Sequence, residues 1–301
     1  MNRPTFSLVI PAYNAAATIG DAIRSVLNQT VADFEVIVVD DGSTDATSTE
    51  IARFAGDPRV RPFRQPNGGV SAARNRALAE ACGRYASFLD ADDLLLPRYL
   101  EVMGHTLDRI PEAAVADCDF WILHDADGAV SCSPAGHLEL PAAPDELMRV
   151  LLKRNVLHYA TTVRMDVLRD VGAFDPALRA AEDLELWLRI LAHGQRVVRA
   201  PGRLCVWRSS GGSLSTDSAL LTRSLCEVYR RVADDYDVPD DLRQLARARM
   251  RAERKRLGAL TGDRRLAGAL RRMRVRLAKM RRLLRMRRRP SLPPEIAELV
   301  R

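Results

Sequence analysis

The chain predicts an α/β fold built on a mainly parallel sheet, and three observations carry that expectation. Short apolar runs alternate with segments of helical apolar spacing through the first hundred residues, which is the pattern of βαβ units. One run, Glu35-Val-Ile-Val-Val-Asp40, is apolar at nearly every position, as a strand covered on both faces must be. Every polar or glycine-bearing cluster of this stretch also falls where a strand ends. These are Pro11-Ala-Tyr-Asn14, Asp40-Asp-Gly-Ser43, Asn67-Gly-Gly69 and Asp90-Ala-Asp-Asp93. In open α/β sheets the carboxyl ends of the strands form the ligand rim, so the four clusters are expected to share one rim.

Taken in order, Phe6 to Ile10 reads as a buried strand. Ile19, Ile23, Val26 and Leu27 then place a helix over 18–28. After the strand Glu35–Asp40, Ser43, Thr44 and Asp45 offer cap oxygens to a helix running to about Ala55, with Asp45 read as a cap. A strand follows near Val60–Phe63, a helix near Ser71–Ala81 and a strand at Tyr85–Leu89. The middle third, with Pro134, Pro141 and Pro144, is less regular. It holds a helical stretch at Asp145–Lys153 and a strand-like one around Tyr159–Val163. Leu184, Trp187, Leu188 and Leu191 lie on one face of a helix over Ala181–His193, which Gly194 stops. Trp187 therefore reads as core. Val197–Trp207 reads as strands around a Pro201-Gly202 turn.

With 301 residues, 47% of them apolar, and a mean hydropathy of −0.16, the chain suits a soluble protein with a sizeable core. No apolar run is long enough to cross a bilayer, and the N-terminus lacks the regions of a signal peptide. The five cysteines, at 82, 118, 132, 205 and 226, show no Cys-x-x-Cys spacing and read as reduced thiols of a cytoplasmic protein. Neither a dinucleotide-type nor a P-loop glycine pattern is present. The net charge of +7 is unevenly spread: residues 243–289 hold twenty Lys/Arg against Glu253 and Asp263. An acidic body thus carries a basic arm.

The segment Phe88-Leu-Asp-Ala-Asp-Asp93 ends a strand with three carboxylates in four positions. Paired aspartates hold hard divalent cations, which keep several waters and complete their shell with substrate phosphates. Nucleotide or nucleotide-sugar chemistry is the expectation; an Asp-rich turn is the bland alternative.

Four blocks, Ser7-Leu-Val-Ile-Pro-Ala-Tyr-Asn14, Val38-Val-Asp-Asp-Gly-Ser-Thr-Asp45, Gly69-Val-Ser-Ala-Ala-Arg-Asn75 and Phe88-Leu-Asp-Ala-Asp-Asp93, resemble in order and spacing the signatures of glycosyltransferase family 2. Ala181-Glu-Asp-Leu-Glu-Leu-Trp-Leu-Arg189 is similar to the family's later acidic block. The resemblance covers about residues 4–216 and implies a GT-A fold, a Rossmann-like, mainly parallel sheet flanked by helices. It also implies an inverting transferase that moves a sugar from a nucleotide-diphosphate donor, a UDP-sugar first, to a hydroxyl of a glycan or lipid-linked acceptor. By position, Pro11, Ala12 and Tyr13 would line the nucleotide pocket, Asp41 would meet the base and Arg74 would assist with the donor. Asp92 would be the main ligand of Mg²⁺ or Mn²⁺, with Asp90 near the ribose or a metal-bound water, and Asp183 the catalytic base. The family's Arg-x-His-x-x-Ser-x-Ser is here Arg208-Ser-Ser-Gly-Gly-Ser-Leu-Ser215, with Ser210 at the histidine position. A third protein ligand stays open.

The expected organisation is a catalytic domain over 1–216, with its nucleotide part to about 110 and its acceptor side over 111–216. A basic helical extension over 217–301 follows. Asp183 falls in the first turn of its helix, where the macrodipole favours the ionised form by roughly 0.3–1 kcal/mol. It is expected exposed and deprotonated, with Glu182 shaping the acceptor side and Asp93 capping the next segment. His158 and Tyr159 either border the acceptor or, for His158, pack as a satisfied semi-buried histidine. Two rival functions are a sugar nucleotidyltransferase and a non-catalytic sugar-nucleotide binding module that uses the arm for assembly.

In the arm, Leu266, Leu270, Met273, Leu277, Met280 and Leu284 form an apolar seam on an arginine-rich helix. Residues 243–289 could meet an anionic membrane surface, as a peripheral attachment on the inner face of the cell membrane, or an acidic protein partner. The seam could instead pair with another helix, in this chain or in an oligomer. Nucleic acid is disfavoured, because the arm offers no aromatic side chain for stacking.

Overall fold

A computed structural model of the chain describes residues 3–124, 128–133, 139–158, 160–209 and 217–261. Their centre is a nine-stranded sheet with helices on both faces. Alternation along the strands decides which residues meet which layer. In β1 (Phe6–Ala12), Leu8 and Ile10 join α1 (Ile19–Leu27) and α4 (Tyr99–Arg109), while Val9 turns to α3 (Val70–Glu80). In β2 (Phe34–Asp40), Val36 and Val38 take the first side and Ile37 and Val39 the second. Every residue of both strands is buried, which explains why most of their positions are apolar; the buried Ser7 donates to the buried Glu35.

The strands β3 (Val60–Arg64), β2, β1 and β4 (Tyr85–Phe88) lie side by side and parallel. Their carboxyl ends therefore form one rim, as expected. Beyond β4 the sheet is mixed. Strand β8 (Thr162–Arg164) runs antiparallel between β4 and β6 (Ala113–His124), and β9 (Arg196–Ser209) runs parallel to β6. The two-residue β5 (Leu94–Leu95) closes on β9, and β7 (Ala129–Cys132) pairs with β6.

Several local expectations change. The middle third contains an unbroken twelve-residue strand, β6. Val197–Trp207 is not two strands around a turn but part of one fourteen-residue strand, β9. Register shifts against β6 on either side of Asp119 absorb the Pro201-Gly202 step, as bulges do. The helix after β2 is only α2 (Thr47–Ala52). Asp45 stands just ahead of it, accepting from the backbone N–H groups of Thr47 and, across the rim, Ala16. Helices α4 and α6 (Met165–Val171) have no counterpart in the sequence reading.

The start of the basic extension belongs to the body. Helices α8 (Ser218–Asp234) and α9 (Asp240–Leu260) form a hairpin whose Val228, Val232, Leu242 and Ala246 are buried. They share a core with Leu147 and Leu151 of α5 (Pro144–Lys153) and with Trp187 of α7 (Glu182–Ala192). Each buried Val or Leu contributes about 1.5–3 kcal/mol to that packing. The apolar seam from Leu266 to Leu284 lies outside the described residues.

Candidate active site

The first part of the rim is built from loops stapled to one another. Asn14 sits in the left-handed region at φ 49, which asparagine tolerates. Its N–H donates to Ser43 Oγ at 3.0 Å and its Oδ1 accepts from Thr44 N–H at 2.9 Å, joining the loops after β1 and β2. Gly42, at φ +76, leaves no room for a Cβ, which would stand 2.7 Å from the Asn67 nitrogen. Asp41 is buried and accepts from Gly68 N–H at 2.9 Å, Gly69 N–H at 2.8 Å and Gln65 Nε2 at 2.7 Å. Three of its roughly four acceptor sites are thus engaged. Pro11 and Ala12 are buried in β1, whereas Tyr13 stands 52% exposed just beyond it.

The second part is the turn after β4. Carboxylate oxygens of Asp90, Asp92 and Asp93 all lie within 4.8 Å of one another. Asp93 does not cap the following segment: its Oδ1 accepts from Arg208 N–H on β9 at 2.7 Å, and its buried Oδ2 makes no hydrogen bond. Burial pushes its carboxyl well above the usual range, and Asp92 and Asp90 add to this. Burial also raises Asp90, against the pull of Arg74. Three carboxylates held this close, one with an unsatisfied oxygen, repel one another unless a cation lies between them. Their all-oxygen donor set fits Mg²⁺ or Mn²⁺.

The third part joins this cluster to the start of α7. Arg74 on α3 has a side chain only 3% exposed. It binds Asp90 Oδ1 through Nη2 and Glu182 Oε1 through Nη1, each at 2.7 Å, and its guanidinium lies over the Phe174 ring at 5.0 Å. Burial works against that charge, but Asp90 and Glu182 outweigh it and keep the guanidinium protonated. Asp183 follows Glu182 in the first turn of α7, which the chain enters through Ala181 at φ 57. Asp183 Oδ1 accepts from Leu184 N–H at 2.7 Å.

Asp183 is half-buried, not exposed. Burial and then the Glu182 charge push its carboxyl up to about 6, with Asp90 adding, while the Leu184 N–H and Arg74 pull it down. Desolvation therefore outweighs the helix dipole on which the sequence expectation rested. Asp90 is close enough for its charge to raise the Asp183 carboxyl, and Arg74 ties Asp90 to Glu182, the residue next to Asp183.

The family model for glycosyl transferase family 2 matches residues 7–157, the strand-end rim and the aspartate cluster included. TuaG of Bacillus subtilis (strain 168), provisionally named a teichuronic acid biosynthesis glycosyltransferase, is 30% identical over 76% of this chain and 89% of its own length. The chain belongs to glycosyl transferase family 2, and so to the glycosyltransferases. It spans only 24% to 31% of the length of other curated relatives that it matches. Among solved structures, S. aureus TarS 1-349 in complex with UDP-GlcNAc superposes with a TM-score of 0.68 at 19% identity, covering 86% of this chain and 74% of that one. The mannosyltransferase PcManGT of Pyrobaculum calidifontis, in complex with GDP-Man and Mn²⁺, gives 0.62 at 19% identity over 91% and 81%. At such identities these two structures show the fold, and the GT-A-like arrangement is shared.

Other residues singled out in the sequence fall away from this family member's cleft or outside the described residues. His158 is buried, stacks on Phe120 with ring centroids 4.1 Å apart, and accepts from Ala160 N–H through Nδ1 at 3.2 Å. Burial lowers its pKa to about 3, so it is neutral interior packing. Tyr159 and Ser210 lie outside the described residues. Trp187 is fully buried core. A cavity of about 390 Å³ lined by Arg3, Gly83, Arg84, Arg164 and Arg169 opens at the amino-terminal edge of the strands, away from the rim. Sequence reasoning missed the Arg74–Glu182 contact and the place of Asp93 in the cluster. For Asp93 the signal was adjacency alone; for the Arg74–Glu182 contact the sequence carried none.

Proposed function

We propose that this chain transfers a sugar, with inversion, from a nucleotide-diphosphate donor to a hydroxyl of a glycan or lipid-linked acceptor, and that a UDP-sugar is the donor. The single observation that carries the reading is the Arg74 guanidinium, buried between Asp90 and Glu182. It ties a three-carboxylate cluster to the helix start that bears Asp183. The UDP-GlcNAc in the TarS complex and the GDP-Man and Mn²⁺ in the PcManGT complex support the choice of ligand class.

Asp92, with Asp90 and Asp93 beside it, would hold the divalent cation. When bound, such an ion offsets the charge of a diphosphate leaving group. Pro11, Ala12, Tyr13 and Asp41 lie on the rim where the nucleotide would rest, Asp41 keeping the Gly68-Gly69 loop in place beside it. Arg74 holds Asp90 and Glu182 fixed and brings a positive charge to the floor of the cleft. Asp183 accepts the acceptor hydroxyl's proton. A carboxyl with a pKa of about 6 is mostly ionised at pH 7 yet basic enough to take a proton, a step typically contributing about 10²–10⁴-fold.

The basic stretch 243–289 would rest on an anionic membrane surface, bringing the cleft to a lipid-linked acceptor. Arg247, Arg251, Arg254 and Lys255 are exposed along α9, and each cation near such a surface contributes about 1 kcal/mol. Among the described residues no helix is long and apolar enough to cross a membrane. Sedimentation with phosphatidylglycerol vesicles across a salt series checks this, and binding indifferent to salt and lipid charge contradicts it.

The donor reading is tested by a thermal-shift panel of UDP-, GDP- and dTDP-sugars with and without Mn²⁺, on wild type and Asp92→Ala. The expected result is a UDP-sugar shift that needs the metal and disappears in the variant. No shift with any nucleotide sugar would overturn the reading.

A further inference from the structure

Glu185 stands two residues past Asp183 on α7. Positions so spaced do not share a helix face, so Glu185 points away from the cleft. Its carboxylate is nonetheless buried, with a side chain 2% exposed. Three residues converge on it. Arg189 binds through Nε at 3.0 Å and Nη2 at 2.9 Å. From the C-terminal hairpin come Arg231 Nη1, at 3.5 Å, and the Tyr236 hydroxyl, which donates to Oε1.

The same two arginines hold the approach to Asp183. Arg189 donates to the carbonyl oxygens of Val171, Gly172 and Ala173, and Arg231 pairs with Asp175. From the donor side, Asn75 clamps the backbone of Phe174: its Nδ2 donates to the Phe174 oxygen at 2.7 Å and its Oδ1 accepts from the Phe174 N–H at 3.0 Å. The segment 171–185 is thus gripped by α3 on one side and by the end of α8 on the other.

Apolar packing alone would dock α8 on α7, since Val228 and Val232 share a core with Trp187. Burying a carboxylate among two arginines and a tyrosine adds little net stability compared with apolar residues of the same volume. What it does add is fixed geometry, because each bond holds in one register only. We infer that Arg231 and Tyr236 are positioning residues, through which the C-terminal hairpin sets the place of Asp183. Both lie outside the region 7–157 that the family model matches. Its bearing on turnover rests on Asp183 as the base, whereas its bearing on the segment does not.

The test uses the full chain with Tyr236→Phe and, separately, Arg231→Lys. Hydrogen–deuterium exchange of peptides covering 172–184 is read together with kcat, UDP affinity and Tm. The expected result is about tenfold faster exchange in that segment and about tenfold lower kcat, with UDP affinity unchanged; a tenfold change in rate corresponds to about 1.4 kcal/mol. Unchanged exchange in both variants overturns the inference. So does a fall in Tm with kcat per folded molecule unchanged, the mark of a purely structural role. A wild type that transfers no sugar would sink the proposed function instead, and exchange alone would then decide whether the hairpin holds the segment.

Discussion

The two flanks of the proposed cleft, one for the donor and one for the base, are held by different kinds of bond. On the donor flank, partners are near neighbours on the rim: Asp41 is satisfied by Gln65, Gly68 and Gly69, and Asn14 by Ser43 and Thr44. Most of these bonds use backbone N–H groups, which the parallel strands deliver to one edge. On the base flank, partners are distant and ionic. Arg74 reaches Glu182 across 108 positions, and Arg231 reaches Asp175 across 56. A donor pocket made of backbone is stiff once the sheet forms. The segment before Asp183 is held by side-chain charges, Arg231 of the C-terminal hairpin among them, so its place depends on more of the chain being folded.

The largest expected effect breaks the join between the flanks. Arg74→Met leaves the half-buried Asp90 and Glu182 without their cation; removing one partner of a fully buried pair costs about 3–5 kcal/mol, which is the upper bound here. Denaturant unfolding should show that loss together with a collapse of transfer; a variant as stable and active as wild type would mean that the flanks are joined by something else.

The pH profile sharpens the contrast at a single atom. As the proposed base Asp183 would work ionised, and its pKa is raised to about 6 by burial first and Glu182 next. Protonation, and with it loss of the base, therefore begins at higher pH than for an ordinary aspartate. Transfer should be level above about pH 7 and fall about tenfold per unit below about pH 6. A rate that stays flat down to pH 5 contradicts the assignment.

A smaller effect is expected where the donor flank touches the base segment. Asn75→Ala removes both hydrogen bonds to Phe174 and should cost about 1–2 kcal/mol of stability, with UDP affinity unchanged. An equal loss of UDP affinity would place Asn75 in the donor pocket itself.

The same contrast explains how much the sequence disclosed. Strand ends and their polar clusters were readable, because the apolar run of β2 and the turn chemistry of Asp41-Gly42 are local. The aspartates at 90 and 92 and the acid at 183 were singled out by motif, and Arg74 links Asp90 to Glu182 beside Asp183. What stayed hidden was tertiary. The pairing of Arg74 with Glu182 depends on how α3 lies against the start of α7, which no periodicity encodes. The raised carboxyl of Asp183 depends on burial, whereas the sequence showed only a helix start. The fourteen residues of β9 carry a Pro-Gly pair that reads as a turn, yet the offset against β6 keeps the strand whole. The packing of α8 was masked by the arginines around its core residues.

The most direct measurement compares UDP-sugar binding and sugar transfer in Asp183→Asn and Asp92→Ala, both with Mn²⁺ present. The expected result is that Asp183→Asn binds the donor like wild type but transfers about 10²–10⁴ times more slowly, while Asp92→Ala loses metal-dependent donor binding. Transfer at the wild-type rate by Asp183→Asn would contradict a cleft that grips its donor on one flank and activates the acceptor from the other.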